Sequence, residues 1–241
     1  MRKESGGAQA HPFTLPRSGE SLAQRQRQDE ASTRGRLEHA ALTLAGERGY
    51  GSLSVQAILE RTGINRTRFY SLFPNKEACY ASAYAALSAW LADKLLGPGK
   101  SSGNWVEGLH GGLERLAAFV ESEPDLARGS IAEVYVAGGA AMAKRNEHFR
   151  RFVHAIDRAR AESAPFLPSP PPLTASFVVH AIESATIQAL TADRATDFAA
   201  SIPDFLYLAA SFYFGTEQAG VAYRQSKNSA KACAAKRSDL L

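Results

Sequence analysis

Apolar residues recur at helical spacing along most of the chain, and no stretch alternates with the two-residue period of a strand. Leu37, Ala40, Ala41, Leu44 and Ala45 mark one face of a helix from about Ser32 to Arg48, which Gly49 ends. Val55, Ile58 and Leu59 give a second, short helix whose first turn Ser54 is placed to cap. Gly63 stops it, and Asn65 caps a third helix that turns Ile64, Phe69 and Phe73 inward before Pro74 closes it. A fourth helix should run from Asn75 to about Leu96, with Ala78, Ala81, Ala85 and Leu91 among its buried side and Trp90 near its middle. The turn formers GPGKSSGN at 97–104 break the pattern. Helices are then expected over Trp105–Ser122, Asp125–Ala137 (with Pro124 in the first turn) and Ala140–Ala161. Five prolines between Pro165 and Pro172 make a stiff loop. Leu173–Thr191 and Asp204–Gly215 follow as the last two helices, so the class is all-α with about nine helices.

Charge divides the chain more sharply than its net +4 suggests. Residues 1–76 hold 12 Lys/Arg against 7 Asp/Glu, residues 77–222 hold 11 against 16, and residues 223–241 hold 5 against 1. A basic amino-terminal third beside an acidic body suits a nucleic-acid reader attached to a part that does not touch nucleic acid. The expected layout is a disordered basic arm (1–28), a helix-turn-helix DNA-binding domain (29–76), a helical ligand-binding and dimerisation domain (77–222) and a disordered basic tail (223–241). Arg25 and Arg27, with Arg34 and Arg36, are candidates for an arm that follows the phosphate backbone. The longest weakly polar run, Ala81–Ala92, is too short and polar to span a bilayer, and MRKESGGAQAHPF has no apolar core of a secretory signal. The two cysteines, Cys79 and Cys233, imply no disulfide framework, and a cytoplasmic protein is expected.

A helix, a glycine turn and a second helix tipped with basic and hydroxyl side chains make a helix-turn-helix, whose second helix enters the DNA major groove. The third helix exposes Asn65, Arg66, Thr67 and Arg68 at its start. Arg66 suits bidentate donation to guanine, and Thr67 suits a base edge. Arg68, Tyr70, Ser71 and Lys76 suit phosphates, which fix register. Lys76 also opens the fourth helix, whose free N–H groups point toward anions.

The segment from Arg34 to Tyr84 resembles the DNA-binding domain of tetracycline-repressor-like (TetR) transcription regulators. The resemblance rests on Ala40-Ala41 with the following Gly-Tyr-Gly turn, the Ser-Val-x-x-Ile of the second helix, Thr62-Gly63-Ile64-Asn65, and Phe69-Tyr70-x-x-Phe73-Pro74-Asn75-Lys76-Glu77. It implies a phosphate contact from Ser54. Thr67-Arg68 and Leu72 depart from the family's usual residues, so a relative's operator sequence does not carry over.

The last two helices are apolar on more than one side, through Phe177, Val178, Ile182, Ile187 and Leu190, then Phe205, Leu206, Leu208, Phe212, Tyr213 and Phe214. They are expected to pair with the same helices of a second copy as a four-helix bundle. The resemblance implies the same interface, and a cavity for a small-molecule effector among helices four to eight. Candidate lining residues are Trp90, Phe119, Glu133, Tyr135, Phe149, Phe152, His180 and Glu183. The two glutamates sit in apolar helical stretches and each needs a partner, an arginine or a ligand.

No phosphate-binding glycine loop, nucleophile elbow or paired metal-type cysteines occur, so no enzyme, cofactor or metal is expected. The expected function is a dimeric DNA-binding repressor released from a palindromic site by a ligand. The competing reading is a helical binding protein or enzyme with an inactive helix-turn-helix.

Overall fold

The computed structural model describes residues 22–96, 105–192 and 194–238. Ten α-helices and no strand occur among them. The head consists of α1 (Leu22–Arg48), a 3-10 turn (Tyr50–Ser52), α2 (Val55–Thr62) and α3 (Arg66–Leu72). The body consists of α4 (Lys76–Leu96), α5 (Trp105–Ser122), α6 (Pro124–Ala127), α7 (Gly139–Ser163), α8 (Thr174–Thr191), α9 (Ala195–Phe214) and α10 (Thr216–Ser238). The expected break at 97–104 and the first 21 residues of the arm lie outside the described residues.

Leu37, Ile58 and Phe69 are fully buried and fill the space between α1, α2 and α3. The same apolar core continues through Tyr80 and Val120 to Leu190 and Leu206. Head and body therefore share one packed interior. α4 packs on α1 with one part of its surface and on α5 and α7 with another, and α9 lies against α5, α8 and α10.

Four expectations need correction. α1 begins at Leu22, ten residues before Ser32, so residues 22–28 belong to a helix and not to a disordered arm. The chain from Thr216 to Ser238 is likewise a helix, so the tail expected from residue 223 is helical to Ser238, and α8 and α9 are not the last two helices. Both segments are rich in Ala, Gln, Lys and Arg, which favour helix by propensity without an apolar stripe to announce it. α9 starts at Ala195, nine residues before Asp204, and keeps Pro203 inside it. The proline removes one backbone hydrogen bond, but Phe198, Ile202 and Leu206 are buried on both sides of it and hold the helix together.

The fourth correction concerns Asp125–Ala137, expected as one helix. α6 gives way to a wide π turn (Arg128–Ala132) and then a 3-10 turn (Glu133–Tyr135). This segment meets α1 backbone to backbone. A Cβ on Gly46 would lie 1.8 Å from the Asp125 carbonyl oxygen, and one on Gly129 would lie 1.9 Å from that of Leu42. Only glycine permits the crossing. Tyr80 donates its hydroxyl to the Gly129 carbonyl (2.5 Å), and Arg128 spans the contact by donating to Leu190 O (3.0 Å) and Gly46 O (3.4 Å).

Candidate nucleic-acid interface and internal cavity

Local chemistry fixes the head. The Ser54 hydroxyl accepts from Ala57 N (3.1 Å), so α2 starts there. Gly63 takes a left-handed conformation (φ 68°) and donates to Leu59 O at 2.8 Å. Asn65 accepts from Arg68 N (2.8 Å) and starts α3, and Asn75 accepts from Ala78 N (2.8 Å) to start α4. The buried Thr62 hydroxyl donates back to Ile58 O (2.8 Å), and its carbonyl receives the guanidinium of Arg36.

On this frame Ser54, Asn65, Arg66, Thr67, Tyr70 and Ser71 are all exposed. Arg66 donates to Gln56 Oε1 (3.3 Å), and Gln56 donates to Glu60 (2.8 Å), so α2 braces the guanidinium. Sequence reasoning missed Gln56, whose place is visible only once α2 and α3 are side by side. Ser71 donates to Arg68 O (2.8 Å). Arg68 pairs with Asp29 (3.4 Å) and Glu30 (3.7 Å) of α1. Those acids are exposed, and such a pair is weak enough for a phosphate to replace it. Lys76 is half-buried: its amine donates to Leu53 O (2.7 Å) and sits 5.0 Å from the Tyr50 ring centre. It thereby ties the start of α4 to the link before α2, and two of its three N–H donors remain. Arg34 lies over Phe73 (4.6 Å) and Arg36 bonds Thr62, so neither extends as an arm. The side chains of Arg25 and Arg27 lie outside the described ones.

The body forms a partly open cavity of about 710 Å³ bounded by α4, α5, the π turn, α7 and α8. Phe149, Phe152 and Glu183 line it. The other five candidates stand elsewhere. Phe119 is buried core, with Trp90 at its edge (6.1 Å). Glu133 accepts from the Tyr50 backbone N–H (2.7 Å), a contact between the π-turn segment and the head. Tyr135 is exposed and donates to Glu183 (2.8 Å). His180 is exposed, with Nδ1 against Ser176 O (2.7 Å) and its ring beside Phe149 (5.1 Å). Helical spacing tells which residues share a face, not which neighbour that face meets.

Glu183 has the arginine partner that burial demands. Arg145 Nε donates to Oε1 at 3.0 Å and Nη2 to Oε2, and both side chains are nearly fully buried. Arg145 also lies 3.9 Å from the Phe149 ring centre. The wall holds polar groups not foreseen: Tyr84, Ser88, Ser130, His148 and Thr186. His148 had a usable signal, since Arg145, His148, Phe149 and Phe152 fall at i, i+3, i+4 and i+7 on α7. Burial and the nearby Arg151 hold its pKa below the ordinary 6.5, so the ring is neutral.

An exposed helix-turn-helix joined to an all-helical body with an internal cavity is the plan of a DNA-binding transcription regulator. Residues 38–83 match the family model for bacterial regulatory proteins of the tetR family, so the head carries the domain which that model describes. The whole fold is similar to that of the fatty acid degradation regulator FadR from Bacillus halodurans, at 18% identity, TM-score 0.66, over 73% of this chain and 93% of that one. FadR from Bacillus subtilis, solved with stearoyl-CoA, is similar at 18% identity and TM-score 0.64, over 75% and 97% of the chains. TylP, a TetR regulator from Streptomyces fradiae, shares 19% identity at TM-score 0.59, over 86% and 99%. No curated protein sequence matches. No helix of the described residues is long and apolar enough to cross a membrane.

Proposed function

We propose that this protein is a cytoplasmic, dimeric repressor that leaves a palindromic operator when a small molecule fills the cavity. One observation carries the reading: α4 begins at Lys76 against the head and goes on to line the cavity with Tyr84, Ser88, Leu91 and Leu95. The π turn repeats the arrangement, with Ser130 and Ile131 on the cavity and Gly129 on α1. A ligand that fits one arrangement of these walls better than another biases the position of the head, and only that difference in affinity works as a switch. FadR from Bacillus subtilis, crystallised with stearoyl-CoA, supports a ligand-responsive body.

Arg66 and Thr67 read bases; Ser54, Arg68, Tyr70, Ser71 and Lys76 hold phosphates, with Asn65 setting the start of α3. The dimer forms through α8 and α9, where Phe177, Leu208 and Phe212 are about half exposed or more and Phe177 meets Phe212 (5.7 Å). Two copies placed so hold recognition helices about 34 Å apart, one turn of DNA. Binding-site selection from random duplexes followed by gel shift tests the assignment. The expected product is a palindrome that wild type binds and the Arg66→Ala/Tyr70→Ala double variant does not, with the variant still dimeric by sedimentation. Equal affinity of the two proteins would refute the assignment of α3 as the reader.

A further inference from the structure

The wall of the cavity includes a neutral imidazole whose hydrogen-bonding capacity the protein itself leaves unused. His148 is 7% exposed and forms part of that wall. Its Nδ1 is fully covered and has no hydrogen-bond partner among the described residues. A covered N–H without an acceptor is costly, whereas Nε2 has no such covered, unsatisfied position. The tautomer that avoids the cost carries its proton on Nε2 and leaves Nδ1 as a bare lone pair. Tyr84 packs edge-on against the ring (6.2 Å) and keeps it from rotating freely.

We infer that the cavity takes a largely apolar molecule anchored by a neutral carbonyl oxygen, which accepts a hydrogen bond from Nε2–H of His148. This rests on reading the cavity as the effector site. Apolar bulk is favoured because Leu113, Phe149, Phe152, Val179 and Ile182 are among the lining residues. The volume, about 710 Å³, is that of a drug-sized ligand site. A carboxylate is disfavoured at His148 itself. An imidazolium, its natural partner, would need a second N–H at Nδ1 where no acceptor waits, and Arg151 and Lys144 oppose that charge as well. Arg145, the buried arginine nearest the aromatic wall, is already held by Glu183, whereas Arg115 donates to Leu95 O (3.0 Å) and keeps a covered Nε without a partner, so the benzoate probe decides between His148 and Arg115 as the anchor.

The test uses the full chain, isothermal titration and three probes of one shape. These are 4-hexylacetophenone, its isostere with C=CH2 in place of C=O, and 4-hexylbenzoate. Wild type is expected to bind the ketone about tenfold tighter than the isostere, the worth of one hydrogen bond from an otherwise unpaired N–H, and tighter than the benzoate. His148→Phe should erase the ketone's advantage while binding the isostere within about threefold of wild type, and His148→Gln, which keeps an N–H donor, should restore part of it. Equal binding of ketone and isostere, an advantage that survives His148→Phe, or tighter binding of the benzoate would overturn the inference. Release of a selected operator duplex is followed separately by fluorescence anisotropy. Ketone binding with the His148 preference but without DNA release would leave the anchor standing and overturn the effector reading instead.

Discussion

In the head, the caps and turn that start and stop α2 and α3 bridge short distances in sequence: Ser54 to Ala57, Asn65 to Arg68 and Gly63 to Leu59. In the body, polar contacts that hold the helices to one another join distant residues. Arg145 and Glu183 are 38 positions apart, Trp105 Nε1 donates to Ile156 O across 51, and Tyr213 donates to Asp157 across 56. The head is a short module whose outward chemistry is set by its own caps and turn. The body has its polar interior set by how helices happen to meet. One surface can therefore recognise DNA in the same way while the other diverges to recognise a different ligand.

The largest expected effect breaks the body. Arg145→Ala leaves the nearly buried Glu183 carboxylate with the Tyr135 hydroxyl but without a cation, and should destabilise the chain by about 3 kcal/mol. The double change Arg145→Met/Glu183→Leu should recover most of that loss, and chemical denaturation of the three proteins checks both. Next comes the seam between the two regions. Gly129→Ala drives a Cβ into the Leu42 carbonyl, with an expected cost of about 1–3 kcal/mol and weakened DNA binding as α1 shifts. Gly112→Ala, which meets only Leu95 O at 3.3 Å, is the milder control by thermal melting.

The head should respond differently, losing function without losing stability. Arg66→Ala is expected to cost about 1–3 kcal/mol of discrimination at one base position, and its melting temperature should stay within a degree or two of wild type. Gln56→Ala, which frees Arg66 from its brace, should relax the same preference by a smaller amount. A competition assay with operators changed one base at a time reads both.

This asymmetry explains what was legible in the sequence. The all-α class, the turn at Gly63, the caps at Ser54 and Asn65 and the start of α4 were all readable, because each depends on residues within one turn of the feature. The cavity was not. Trp90, Phe119 and Glu133 carry suitable chemistry on suitable faces, yet those faces meet core or head instead of the cavity. The polar amino-terminal turns of α1 and the whole of α10 escaped because an apolar period is silent about a helix that shows no apolar stripe. The π turn escaped for a converse reason: its local sequence is helical, and the crossing at Gly46 and Gly129 widens it.

The smallest expected effect is on pH. His148 is held neutral below its ordinary pKa of 6.5, while the unfolded chain takes a proton there. Stability is then complete above pH ~6.5 and declines as pH falls through the lowered folded value. Arg151 and Lys144 favour this depression and Glu147 opposes it. The wild-type denaturant midpoint, followed from pH 8 to pH 5, should fall relative to that of His148→Phe as pH falls.

DNA binding as a function of salt, measured in parallel on a selected palindrome and on a scrambled duplex of equal length, tests the central claim most directly. The expected result is a steep fall in affinity with salt on both and a preference of about a thousandfold or more for the palindrome. Equal affinity for the two duplexes, or binding that ignores salt, would contradict the reading of α3 as a sequence-specific recognition helix.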